Sequence, residues 1–65
     1  MRIVLNGAPA EIQADTLDRA LDELGYGDAV VATALNSDFV PKPMRSETHI
    51  AEDDRIEIIA PMKGG

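Results

Sequence analysis

The chain contains no cysteine. Neither a disulfide nor a thiolate-held metal can therefore staple it. Anything it carries covalently is not carried on a cysteine sulfur. Stability must come from aliphatic packing in a compact, regular fold, and 65 residues leave room for one domain. A chain of this size buries only about 60% of its unfolded surface, so the core has to be economical. Basic residues are also scarce: 6 Lys and Arg against 12 Asp and Glu give a formal net charge of −6. Such a surface repels phosphate, which argues against a nucleic-acid partner and suits a partner with a basic docking face. Long apolar runs are missing. The run Met1–Leu5 is too short for a signal peptide and is interrupted by Asn6-Gly7. No stretch approaches the length of a membrane span. The expectation is a cytoplasmic protein without membrane association, monomeric when free.

What is present reads as alternating strand and turn signals around one helix. Arg2-Ile3-Val4-Leu5 is apolar and β-branched, and Asn6-Gly7 after it is the strongest short hairpin signal. A return strand is expected from Pro9 to Gln13, edge-like because proline cannot donate to a ladder. Asp15 or Thr16 can cap a helix in which Leu17, Ala20, Leu21 and Leu24 form one apolar stripe. Gly25 is a natural stop, and Gly27 is expected to loosen the connection. Val30–Leu35 reads as a strand buried on nearly both faces, turning at Asn36-Ser37 into a return through Phe39-Val40. Pro41 and Pro43 end regular pairing. Residues 44–50 fit either a short helical turn or a loop. Glu52-Asp53-Asp54 lies in a polar turn before the last strand, Arg55–Ala60. Period two puts Ile56, Ile58 and Ala60 on the covered face of that strand, and Glu57, Ile59 and Pro61 on the other. Right-handed crossover places this strand parallel to the first and beside it.

The sequence finishes on Gly64-Gly65. At ordinary glycine usage, two such residues coincide in roughly one chain in two hundred. Their position directly after a final sheet strand makes chance a poor account. Glycine lacks a Cβ, so the pair forms the thinnest segment a protein can thread into a partner's channel.

This order of elements followed by Gly-Gly resembles the ubiquitin-like β-grasp proteins. Among them it looks most like the ThiS sulfur carriers of thiazole (thiamine) synthesis. The resemblance rests on Ile3-Val4-Leu5-Asn6-Gly7, on Leu17–Leu24, on Ala34-Leu35-Asn36 with Phe39-Val40-Pro41, on Asp54–Ile58 and on the terminal glycines. It implies an α+β fold: a mixed sheet of about five strands with one main helix on one face. The β-grasp domain would occupy residues 1–60, and 61–65 would be a flexible tail. Two turns depart from the family pattern. Asp53-Asp54 stands where Gly-Asp is common, and Asn36-Ser37 where an Asn-Gly pair is common. The molybdopterin-synthase small subunits, MoaD, are similar in fold and ending but typically longer. They remain the alternative carrier branch.

The resemblance also implies a chemistry. An adenylating enzyme related to ubiquitin activators, ThiF-like, would join the Gly65 carboxylate to AMP from ATP. A sulfur donor would displace AMP and leave a thiocarboxylate, which supplies a ThiG-like thiazole synthase. The carrier itself would be no enzyme and would bind no cofactor, ATP and the sulfur donor being used by the partner. Gly64, Lys63 and Met62 would deliver the reactive end, with Met62 suited to an apolar channel. Ile59 and Pro61 would belong to a partner face. His49 is expected to be structural or solvated, and Glu52-Asp53-Asp54 a solvated turn without matched ligands elsewhere. A non-covalent β-grasp binding module is the competing class. A small enzyme lacks any nucleophile–base constellation.

Overall fold

The computed structural model describes residues 1–60. Five strands, β1 (Arg2–Leu5), β2 (Ala8–Glu11), β3 (Ala32–Leu35), β4 (Asp38–Val40) and β5 (Arg55–Ile59), form one sheet in the order β2-β1-β5-β3-β4. Helix α1 (Leu17–Glu23) crosses between the two hairpins, and a 3₁₀ helix (Lys42–Glu47) connects β4 towards β5. The pairing of β5 with β1 is parallel and that with β3 antiparallel. This is the mixed, five-stranded, single-helix arrangement expected from the sequence, with the last strand central.

Both hairpins close through two-residue turns, Asn6-Gly7 and Asn36-Ser37. All four turn residues have positive φ, from 48° at Asn6 to 85° at Gly7. This is what a type I′ turn demands. Serine adopts the left-handed region only with strain, and Ser37 sits there at φ 75°. The departure from Asn-Gly is therefore absorbed as local strain, with the turn geometry retained. Ser37→Gly is expected to stabilise the fold by about 0.5–1 kcal/mol, raising the melting midpoint by roughly 2–8 °C. An unchanged or lower midpoint in a thermal melt would refute this.

Helix α1 buries Leu17, Ala20 and Leu21, and Leu24 is half-buried. Its capping residue is Thr16, whose side chain caps no helix N–H. The Thr16 hydroxyl instead donates to Asp18 Oδ1 at 2.6 Å and holds that carboxyl below its ordinary pKa. The helix ends in a Schellman motif. Tyr26 N–H donates to the Leu21 carbonyl at 2.7 Å and Gly25 N–H to that of Asp22 at 3.1 Å, with Gly25 at φ 92°. Gly27 does something other than loosen the connection: a Cβ there would land on the Asp22 carboxylate. Glu23 reaches back to accept the Gln13 and Ala14 N–H groups, tying the helix end to the segment that enters it.

The core lies between α1 and one sheet face. Ile3, Ile12, Leu17, Ala20, Leu21, Val40, Ile50, Ile56 and Ile58 form it. Burying each such aliphatic side chain contributes about 1.5–3 kcal/mol, against a large chain-entropy cost. The expected strand from Val30 is corrected: β3 begins at Ala32, and Val30 is 81% exposed. Val31, just before β3, accepts Arg45 Nη2 on its carbonyl at 2.7 Å. Arg45 is itself buried, and its Nε donates to Thr33 Oγ1, which donates in turn to the Val40 carbonyl. The arginine thus braces the 3₁₀ helix against β3 and β4. Residues 42–47 take 3₁₀ form, resolving part of the segment left open between turn and loop. Bonds of the i→i+3 type, Met44 N–H to Pro41 O and Thr48 N–H to Arg45 O, hold it. Strand β2 covers Ala8–Glu11 rather than residues 9–13, and Ala60 lies exposed beyond β5 rather than on the covered face.

Candidate functional site: the open sheet face and the end of the last strand

Strand β5 alternates cleanly. Ile56 and Ile58 are buried beneath α1, while Glu57 and Ile59 face outward. Directly opposed residues in antiparallel strands share a face. Ile59 is paired with Ala32, and Ala34 with both Glu57 and Phe39. Ile59, Ala32, Ala34 and Phe39 therefore form an apolar strip from the end of β5 across β3 to β4. Its two large members, Ile59 and Phe39, are 65% and 69% exposed. Ala32 is exposed as well, and Ala34 is half-buried. Glu57, opposite Ala34, and Arg55 are exposed on the same strand as Ile59, so charge lies beside the strip.

The sequence singled out Ile59 but not Phe39. The signal was available: Val40 points inward, so period two turns Phe39 outward. Pro61, Met62, Lys63, Gly64 and Gly65 lie outside the described residues. His49 is exposed, and its backbone forms an isolated bridge with Thr16. The carboxylates of the 52–54 turn are engaged rather than merely solvated. Glu52 accepts Arg2 N–H at 2.8 Å, and Asp53 lies 3.5 Å from Arg2 Nε. Asp54 accepts both Ala51 N–H at 2.8 Å and Asn36 Nδ2 at 3.1 Å. This turn sets the entry of β5.

The exit of β5 is held by a residue from the first hairpin turn. Asn6 Oδ1 accepts Ile58 N–H at 2.8 Å, and Asn6 Nδ2 donates to the Ile58 carbonyl at 3.1 Å. A cleft of about 460 Å³ lies elsewhere, between α1 and the 3₁₀ helix, lined by residues that include Asp18, Asp22, Tyr26, Lys42 and Arg45. None of its lining residues belongs to β5. Apolar side chains such as those of the open strip offer contact area rather than acid, base or nucleophile.

A central β5 parallel to β1, with one main crossover helix on one face of a mixed five-stranded sheet among the described residues, defines a ubiquitin-like β-grasp fold. The sequence model of the ThiS family matches residues 3–65. The crystal structure of thiamine biosynthesis protein ThiS from Geobacter metallireducens superposes with a TM-score of 0.84 at 25% identity, covering 100% of both chains. A solution NMR structure of a thiamine biosynthesis protein from the same organism gives 0.80 at 22% identity, covering 100% of this chain and 88% of that one. A thiazole synthase of Paramagnetospirillum magneticum is 33% identical over 66 residues, a match taking in 100% of this chain. The chain spans 20% of the length of that curated relative. The chain belongs to the ThiS family.

Proposed function

We propose that the chain carries sulfur as a thiocarboxylate on Gly65 for assembly of the thiazole of thiamine. The observation that carries this reading is the ThiS match, which runs through Gly65. A carboxylate is a poor electrophile, because its oxygen is a poor leaving group. The Gly65 carboxylate therefore attacks the α-phosphate of ATP in the site of a ThiF-like adenylating enzyme, and pyrophosphate leaves. A sulfur nucleophile attacks the acyl carbon of the adenylate, AMP leaves, and a thiocarboxylate remains. A ThiG-like thiazole synthase then takes the sulfur. The resemblance of this chain to part of a thiazole synthase supports such a partner. Binding of ATP, metal and sulfur donor falls to the enzymes, and the carrier supplies a docking face and a reactive end.

Ile59 sits just before the delivered segment, and with Phe39 it offers the activating enzyme an apolar foothold. Pro61 is assigned to the same partner contact, and Met62, Lys63 and Gly64 to delivery of Gly65. Incubation with ATP, an adenylating enzyme of the ThiF class and a sulfur donor is expected to shift the intact mass by one oxygen replaced with sulfur. Deleting Gly65 is expected to abolish the shift completely. An unshifted wild-type mass with active enzymes would overturn the carrier reading in favour of a non-covalent binding module.

A further inference from the structure

The end of β5 is held differently on its two sides. On one side β3 continues alongside it, pairing Ala32 with Ile59. On the other side β1 stops at Leu5, which pairs with Ile56, because the chain turns away at Asn6-Gly7. The last main-chain bond of that ladder runs from Asn6 N–H to the Ile56 carbonyl at 2.9 Å. One residue pair further on, Ile58 presents an N–H and a carbonyl where no strand remains. The Asn6 side-chain amide meets both, at 2.8 and 3.1 Å. A primary amide has the same donor and acceptor as a peptide unit, so Asn6 extends the ladder by one step without extending the strand.

From this geometry we infer that Asn6 is a positioning residue for delivery of the reactive end. Its amide fixes the register of Ile58, the last buried residue of β5, and thereby the direction in which Ile59 and Ala60 leave the sheet. The inference rests on the carrier reading. It also explains a demand on this position that the turn alone does not make. Glycine would satisfy the positive φ at Asn6 equally well, but only a side-chain amide satisfies both groups of Ile58. At the other end of the strand, Asn36 Oδ1 accepts Arg55 N–H at 2.9 Å. That bond fixes where β5 begins, and Asn6 fixes where it ends.

Asn6→Gly isolates the amide, because it keeps the turn and removes only the side chain. The hairpin and the β3 pairing remain, so the variant is expected to fold. Amide hydrogen exchange at Ile58 is expected to accelerate roughly tenfold or more, as two hydrogen bonds are lost, with Ile3 and Ile56 unchanged. In steady-state activation of the full chain by a ThiF-class enzyme, KM for the carrier should rise by roughly tenfold with kcat within about twofold, since ordering of the exit is deferred to the complex. Asn6→Asp keeps the acceptor for Ile58 N–H but sets an oxygen against the Ile58 carbonyl, and should fall between wild type and Asn6→Gly. Unchanged exchange at Ile58, an unchanged KM, or loss of protection spread equally over the core would each overturn the inference. Wild-type reaction with equally good reaction of Asn6→Gly defeats the inference alone. A wild-type chain that gains no sulfur defeats the carrier reading and the inference together.

Discussion

Ile56→Ala is expected to destabilise the fold by about 2–5 kcal/mol, the range for emptying a large aliphatic site in a tightly packed core. Ile56 is 0% exposed and lies at the centre of the sheet, opposite Leu5 on one side and Leu35 on the other. Neither neighbour can collapse into the vacancy without disturbing a ladder. A domain this small has little reserve, its single core rarely supplying more than about 3–5 kcal/mol of net stability. Most of the population should therefore be unfolded near physiological temperature. Urea or thermal unfolding followed by circular dichroism measures this directly. A loss below about 1 kcal/mol would show that the core around β5 is looser than its burial implies.

Three residues along the same strand, the opposite behaviour is expected. Ile59→Glu should leave the melting midpoint almost unchanged, because Ile59 is 65% exposed and faces away from α1. It should weaken the complex with the activating enzyme by roughly 30-fold or more, the size of effect seen when an anchor residue of an interface is lost. Two causes act together: removal of an apolar contact beside Ala32 and addition of a charge to a chain already at −6. Titration calorimetry on the two proteins distinguishes the outcomes. Unchanged affinity would remove Ile59 from the interface, and collapse of the fold would place it in the core. The Ile56 and Ile59 variants thus test the two faces of one strand by two independent readouts.

These contrasting roles were legible because period two needs only local sequence. The same holds for the Asn6-Gly7 turn, the α1 stripe and the Gly25 stop, each of which is decided within a few residues. Where tertiary contacts decide, local pattern misleads. Val30-Val31 has the composition of a buried strand, yet Arg45 claims the Val31 carbonyl and Val30 stays outside β3. A buried arginine is invisible to hydropathy, since charge normally marks the surface. Phe39 was placed in the right strand, but its contribution to the open strip emerges only once β3 supplies Ala34 and Ala32 beside it. The amide of Asn6 is the furthest from legible. Its sequence signal is fully explained by the turn, and its partner Ile58 is 52 residues away.

Placing β5 between β1 and β3 also decides how the domain bears a mechanical load. A pull on the chain beyond Ile59 that follows the strand acts roughly along the axis of the central strand. Hydrogen bonds to β1 and β3 run across that axis, so a pull of this kind shears the ladders on both flanks together. An edge strand would instead unzip one bond at a time. Tension applied beyond Ile59 therefore leaves the core closed.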